Sequence, residues 1–239
     1  MKSFAWLRAR PRAVASTGIL TAAAVAITTM AFVYEGNPTT EVDLNDGGVW
    51  VTKQSALLVG HFNHESQVLD GGVRTTSGDY DILQAGAHVL VVDEAESSVT
   101  AVDPAMVTLT ESANIPGGAK VVLGGPTVAI LDPASGDLWV VPAAAIGSFE
   151  IEGTEAVTDV GEKADVTVSA DGTVYAVSTE DAELVTVRTD AEGAPLEASR
   201  SGVDGLETGA SASISAVGQR PVILDADSGT LFADGRQTE

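Results

Sequence analysis

No cysteine occurs in the 239 residues, so an exported chain of this kind has no disulfide staples and must draw its stability from sheet packing. Basic residues are scarce: 12 Lys and Arg stand against 34 Asp and Glu, for a net charge of −22. Four of the twelve, Lys2, Arg8, Arg10 and Arg12, precede the first acidic residue, Glu35, and from Glu35 onward 34 acidic and 8 basic side chains leave a net −26. A field of that sign repels phosphate backbones and anionic headgroups, which argues against nucleic acid as a partner. Its ordinary role is to keep an exported surface soluble. Catalytic signatures are missing too. There is no GxSxG, and His61, His64 and His88 have no triad context. With so many Asp and Glu, no particular carboxylate pair is singled out for glycosidic cleavage. Gly117-Gly118 and Gly124-Gly125 flank a strand with neither GxGxxG spacing nor a following helix, so they do not read as a nucleotide site.

What the chain has in quantity is repetition, on an apolar share of 44%, enough to bury a core. Residues 126–141, PTVAILDPASGDLWVV, read as two short apolar strands joined by a turn of Asp, Pro, Ser and Gly. Similar stretches lie at 47–62, 88–103, 172–187 and 219–234. Aligning Thr52, Asp93, Asp132, Thr179 and Asp225 as turn-opening residues gives steps of 41, 39, 47 and 46. Repeats of that length carrying several short strands are the signature of propeller blades. In the third unit the strands are expected at 120–123, 128–131 and 138–141, with an outer strand somewhere in 149–160. In the fourth they are expected at 165–169, 173–178, 184–188 and near 195–201. The first unit begins at its second strand and the last stops where an outer strand should start, so the reading is an incomplete ring of about five blades, with the native chain expected to continue past Glu239.

Residues 13–34, AVASTGILTAAAVAITTMAFVY, are free of charge and as a helix would cover about 30 Å, the thickness of bilayer hydrocarbon. A cleaved signal peptide competes, but the run exceeds the usual apolar length of about 7 to 15 residues and ends in bulky Phe32-Val33-Tyr34. A retained single-pass anchor is therefore expected. Residues 1–12 form a cytoplasmic basic segment, 13–34 the transmembrane helix in contact with lipid, 35–46 a linker, and 47–239 extracellular repeats.

Four groups of residues could carry chemistry, and each has a plainer reading. His61-Phe62-Asn63-His64-Glu65 looks like a metal cluster, but on one strand the odd separation sends the two imidazoles to opposite faces. Asp225-Ala226-Asp227-Ser228-Gly229 has alternating carboxylates of calcium-loop type, echoed by Asp43-Leu44-Asn45-Asp46-Gly47. A twelfth-position Glu is required for an EF-hand, and Arg236 stands there, so a hairpin turn is the better reading, with a surface calcium at Asp225 and Asp227 left open. Trp50 and Trp139 lie in equivalent parts of two repeats and read as core rather than as a sugar-stacking platform. No residue is assigned to a catalytic, cofactor or metal site, and no cofactor is expected.

The ARPRAV segment and anchor, Glu41 to Gly72 with its DLNDGGVWVT, Leu90 to Ala105 and ASGDLWVVPAA at 134–144 resemble the N-terminal part of large membrane-anchored actinobacterial proteins. Those proteins carry fibronectin type III or other immunoglobulin-like domains further along. The resemblance implies an extracellular propeller-like stalk ahead of an array of sandwich modules, none of which this chain contains. It brings no catalytic residue to carry over.

The combined expectation is an all-β fold, a β-propeller with about five blades in an incomplete ring behind one transmembrane helix. Its role is a non-catalytic binding or structural platform at the cell envelope, with an envelope protein or glycan as partner. The competing expectation is a hydrolase or lyase acting on envelope polysaccharide, alone or as part of a larger carbohydrate-active protein, recognisable by two carboxylates and aromatic walls at the ring mouth. A quinone-dependent dehydrogenase propeller finds no matching Trp and metal-ligand pattern.

Overall fold

Short apolar runs separated by tight turns can bury both faces only by stacking sheet on sheet, and the computed structural model, which describes residues 48–237, does this five times in succession. The first blade holds β1 (Val49–Lys53), β2 (Leu58–Asn63) and β3 (Val68–Arg74). The second holds β4 (Tyr80–Ala85), β5 (His88–Asp93), β6 (Ser98–Asp103) and β7 (Thr108–Asn114). The third holds β8 (Lys120–Gly124), β9 (Thr127–Leu131), β10 (Asp137–Pro142) and β11 (Thr158–Asp159). The fourth holds β12 (Asp165–Val168), β13 (Val174–Ser178), β14 (Glu183–Thr189) and β15 (Pro195–Gly202). The fifth holds β16 (Ala212–Val217), β17 (Arg220–Asp225), β18 (Thr230–Ala233) and β19 (Arg236–Gln237). Within each sheet the strands lie side by side in chain order, every neighbour antiparallel, which is the meander of a propeller blade.

The first blade, among the described residues, has the second, third and outer strands of the pattern. The outer strand expected in 149–160 is only two residues long, Thr158–Asp159, and the chain reaches it from β10 through the 3-10 turns Ala143–Ser148 and Ile151–Gly153. The fifth blade does have an outer strand, the short β19. The expected membrane helix at 13–34 and linker at 35–46 lie outside the described residues. Among the described residues, no helix is long and apolar enough to cross a membrane.

The hairpin between second and third strands is alike in all five blades. Four residues form the loop, and the last is left-handed: Leu57 (φ 51°), Ser97 (φ 49°), Gly136 (φ 83°), Ala182 (φ 54°) and Gly229 (φ 70°). The residue that opens each loop is therefore Lys53, Asp93, Asp132, Ser178 or Asp225, set across from Leu58, Ser98, Asp137, Glu183 or Thr230. This corrects the register in two blades. Lys53 and Ser178, rather than Thr52 and Thr179, are the structural equivalents, and the steps become 40, 39, 46 and 47. A shift of one residue exchanges the two faces of a strand, so the correction decides which side chains meet which blade.

Second-strand residues alternate between the two neighbouring blades. Trp50, Val59 and Val73 of the first blade meet Val89 and Val91 of the second. Leu90, Val92 and Val99 turn the other way, onto Val128, Ile130, Trp139 and Val141 of the third. Ala129, Leu131, Leu138 and Val140 of the third face Val166, Val168, Val174 and Ala176 of the fourth. Val177 and Leu184 pack with Ile214, Ile223 and Phe232 of the fifth. The apolar residues thus form four separate inter-blade cores rather than one layer between two facing sheets.

The turn-opening carboxylates hold the loops. Asp93 is buried and accepts from the Thr76 and Ser77 hydroxyls and the Glu96 amide. Asp132 accepts from the Ala134 amide and the Ser135 hydroxyl, and Asp225 from the amides of Asp227 and Ser228 and the Ser228 hydroxyl. Ser178 cannot do the same with its shorter side chain; its buried hydroxyl makes no hydrogen bond. Asp93→Ala strands two hydroxyls and one amide at a buried turn and is expected to cost about 2 kcal/mol, read by urea denaturation. A change inside the error of the measurement would show the carboxylate to be dispensable.

Candidate functional site

Inner strands of a propeller converge on its central channel, so the residues they carry toward that axis are the natural candidates for a site. The hairpin register puts Asp81, Lys120, Asp165 and Ser213 at one level of β4, β8, β12 and β16, opposite Val92, Leu131, Val177 and Leu224. Lys120 Nζ lies 2.5 Å from Asp165 Oδ1, with the Lys side chain half exposed and the Asp mostly covered. Asp165 Oδ2 accepts the Ile214 N–H at 2.9 Å, and Oδ1 also accepts the Val166 N–H. One carboxylate thereby ties the inner strands of the third, fourth and fifth blades. Asp81 accepts the amide of its neighbour Ile82 at 2.7 Å.

A second tie joins the first two blades. Gln84 of β4 accepts the Trp50 N–H at 3.1 Å and donates from Nε2 to the Gly48 carbonyl at 3.3 Å. Its amide mimics a stretch of strand against β1. Tyr80 adds to this junction with its hydroxyl donated to the Leu58 carbonyl at 2.7 Å, and its backbone carbonyl accepts from Gln54.

Chemically this level of the ring is a mixed polar rim. Lys120 opposes Asp165 where a glycosidase would need a second carboxylate, and Tyr80 is buried with its hydroxyl in use rather than forming an open aromatic wall. Among the described residues, no three His, Asp or Glu side chains come together as a metal site.

The other candidates from the sequence are dispersed. His61 lies on β2 and His64 in the turn beyond it, so the two are not on one strand at all. His61 Nδ1 is 2.6 Å from Asp70 Oδ1, Asn63 Nδ2 donates to Asp70 Oδ2, and the Trp50 ring is 5.2 Å away. Asp225 is used up in its own turn, while Asp227 Oδ2 accepts the Ser211 N–H. Asp43, Asn45 and Asp46 lie outside the described residues. Trp50 and Trp139 are both buried, but their positions are not equivalent: Trp50 is on a second strand and Trp139 on a third. Trp139 donates Nε1 to the Thr154 carbonyl and meets Phe149 edge to face. Gly124 and Gly125 have a packing role. A Cβ on Gly124 would come within 2.5 Å of the Ser169 carbonyl oxygen, so the third and fourth blades touch there backbone to backbone. The third histidine, His88, stands with Asp103 and Glu111 on the wall of an open cleft of about 630 Å3 between the second blade and the turn at Ala143–Ser148.

The polar rim was not found from sequence. Its residues are unlike in type, and only a correct turn register aligns them.

No protein-family model matches the chain, and no curated protein matches it. The fold, by contrast, is shared with solved β-propeller proteins. The dihydro-heme d1 dehydrogenase NirN is 14% identical with a TM-score of 0.59, over 85% of this chain and 45% of that one. Hsv2 of Kluyveromyces lactis is 14% identical with a TM-score of 0.52, over 79% of this chain and 57% of that one. Hsv2 of Kluyvelomyces marxianus is 11% identical with a TM-score of 0.51, over 79% and 60%. This chain therefore spans about half the length of the propellers it resembles. At such identities the likeness is one of architecture: the chain has a β-propeller fold.

Two measurements probe these contacts. Asp165→Ala removes the acceptor for Ile214 as well as the ion pair and is expected to cost about 2 kcal/mol, whereas Lys120→Met, which deletes only a half-exposed cation, should stay under about 1 kcal/mol. Equal losses in urea unfolding would mean that the ion pair, not the bridge to the fifth blade, is what Asp165 supplies.

Acid should weaken the fold. The His61 imidazole holds Asp70 below the ordinary carboxylate range, the Ser169 hydroxyl does so for Asp171, and the Ser228 hydroxyl for Asp225. Each binds its proton more weakly folded than unfolded, so its contribution is complete above the ordinary carboxylate pKa of about 4 and is lost as pH falls below it. Melting temperature should be flat from about pH 7 to about 5 and drop by about pH 3; a flat profile throughout would contradict this.

Proposed function

We propose that the chain is a single-pass cell-membrane protein whose propeller is a non-catalytic binding or structural platform outside the cell. Residues 1–12 remain cytoplasmic, 13–34 lie in the bilayer, 35–46 link, and the five blades form part of a larger ring at the envelope. The observation that carries the platform reading is the use made of the polar rim. Asp165, its most buried carboxylate, is committed to Lys120 and to the Ile214 amide, so it acts as a fastening between blades. The basic start followed by a charge-free run of 22 residues supports the anchor. The acidic surface fits an exported domain whose partner is an envelope protein or glycan and is unsuited to nucleic acid.

The chain's lack of cysteine makes topology simple to test. Ala134 is exposed in the loop of the third blade, so Ala134→Cys introduces a single thiol. A membrane-impermeant maleimide should label it on intact cells; a thiol reached only after lysis would overturn the outside assignment. Incubation with isolated envelope polysaccharide should release no new sugar ends, and their steady release would favour the hydrolase or lyase instead.

A further inference from the structure

The second blade turns one face to the third, and that face changes character along its length. Leu90, Val92, Val99 and Ala113 are apolar and are sealed by the third blade. Continuing along the same side of the pleat come His88 on β5, Ala101 and Asp103 on β6 and Glu111 on β7. These line the open cleft of about 630 Å3 whose other wall is the turn Ala143–Ser148. At the corresponding level the next junction is shut. Counted from the turn-opening residues, the equivalent of His88 there is Thr127, which is fully buried with its hydroxyl 3.3 Å from that of Thr189. The equivalent of Thr189 in the third blade is Ala143, too short to reach across. The turn that follows is firmly seated: Ile146 is fully buried, and Gly147 lies so near β7 that a Cβ would come within 3.0 Å of the Glu111 carbonyl oxygen. The opening is therefore framed by well-packed elements at an internal junction, and its volume suits a small ligand or a single side chain.

The lining decides the chemistry of the occupant. No Lys or Arg stands on it, which disfavours an anion, and no Trp, Tyr or Phe offers a face to a sugar ring or a quaternary ammonium. What it offers is small aliphatic surface, Ala101 and Ala143 to Ala145, with negative charge at Asp103 and Glu111. Asp103 engages Oδ1 with the amides of Ala105 and Met106, which leaves Oδ2 for another donor. We propose that this cleft is a docking site for the side chain of an exposed lysine on a partner protein. The methylene stem lies along the alanines and the ammonium is held by the carboxylates. With one oxygen of Asp103 already engaged and no aromatic ring to stack on, a compact ammonium fits better than the planar fork of arginine. Exposed Pro104, Ala144 and Ser148 at the mouth give the peptide carrying that lysine a surface to rest on. The inference deepens the platform reading by giving its protein partner a chemistry, and rests on it only for where that partner is met. The two fail separately, since binding is measured in solution and the outside assignment on cells.

The test uses the full chain in micelles of a non-ionic detergent and a tripeptide with one central lysine, labelled with a neutral dye and followed by fluorescence anisotropy. The lysine peptide should bind and the norleucine peptide, with the stem but no charge, should not. Glu111→Gln and Asp103→Asn keep side-chain size and should each weaken binding by about fivefold. Glu197→Gln removes the same charge from an exposed site on the fourth blade and should leave binding within about twofold of the parent, which separates the cleft from the general acidic field. Ala101→Leu fills the floor without altering charge and should also weaken binding, with unchanged thermal melting verifying the fold; the two isosteric variants carry the test where it does not fold. Carbodiimide coupling of the bound peptide, mapped by mass spectrometry, should place the lysine on Glu111 or Asp103. Spermidine should displace the peptide only weakly. A parent that does not bind, a norleucine peptide that binds equally, equal losses for Glu111→Gln and Glu197→Gln, a folded Ala101→Leu that binds like the parent, coupling spread evenly over the surface, or spermidine binding more tightly than the peptide would each overturn the proposal.

Discussion

A sheet that is apolar on both faces must be covered on both, and nearly every feature of this molecule follows from that constraint. In the central blades Leu90 and Val92 face one neighbour while Val89 and Val91 face the other. Burial at roughly 25 cal/mol per Å2 of apolar surface rewards each added blade about equally, which is why stability here is the sum of nearest-neighbour junctions rather than the property of one central core. With no disulfides and few aromatic residues, those junctions are built mostly from Val, Ala, Leu and Ile, with single large rings such as Trp50, Trp139 and Phe232 set among them. At Gly124 and the Ser169 carbonyl the backbones themselves meet.

Polar side chains complete the junctions where the strands run out of apolar surface. Gln84 satisfies backbone groups of β1, Asp165 reaches to both neighbouring inner strands, and the Tyr80 hydroxyl closes on Leu58. These bonds are directional where apolar packing is not, and they fix the stagger of one blade against the next. Lys120 and Asp165 of the polar rim are thereby engaged in holding the inner strands together.

Much of this order is legible in the sequence, because the period of strands and turns depends on local chemistry. Asp132-Pro133-Ala134-Ser135-Gly136 and Asp225-Ala226-Asp227-Ser228-Gly229 advertise their turns through a capping carboxylate, a serine and a left-handed glycine. The first and fourth blades use other residues at the same places. Lys53 and Ser178 lack the carboxylate, and Leu57 and Ala182 adopt positive φ without the glycine that would reveal it, so their register slips by one when read from composition. The outer strand of the third blade falls inside the stretch expected for it, 149–160, but is short, and the connection that leads to it is a 3-10 turn, Ala143–Ser148, anchored by the fully buried Ile146, which the alternation of strands does not reveal. The polar rim depends on a register that only non-local pairing fixes, and a list of Asp and Lys positions cannot disclose it.

Outer strands tell a complementary story. Opposite His61, Ala101 and Arg188 the outermost strand of three blades carries one residue too many, placing Asp70, Thr110 with Glu111, and Leu196 with Glu197 in bulges. A bulge interrupts the row of donors and acceptors along a free edge, twists it away from flatness, and here sets a carboxylate beside the break in each case. Fibril-like growth by edge-to-edge strand addition is therefore opposed along these three outer edges, so that a chain rich in β-structure carries its own guard against strand-by-strand stacking.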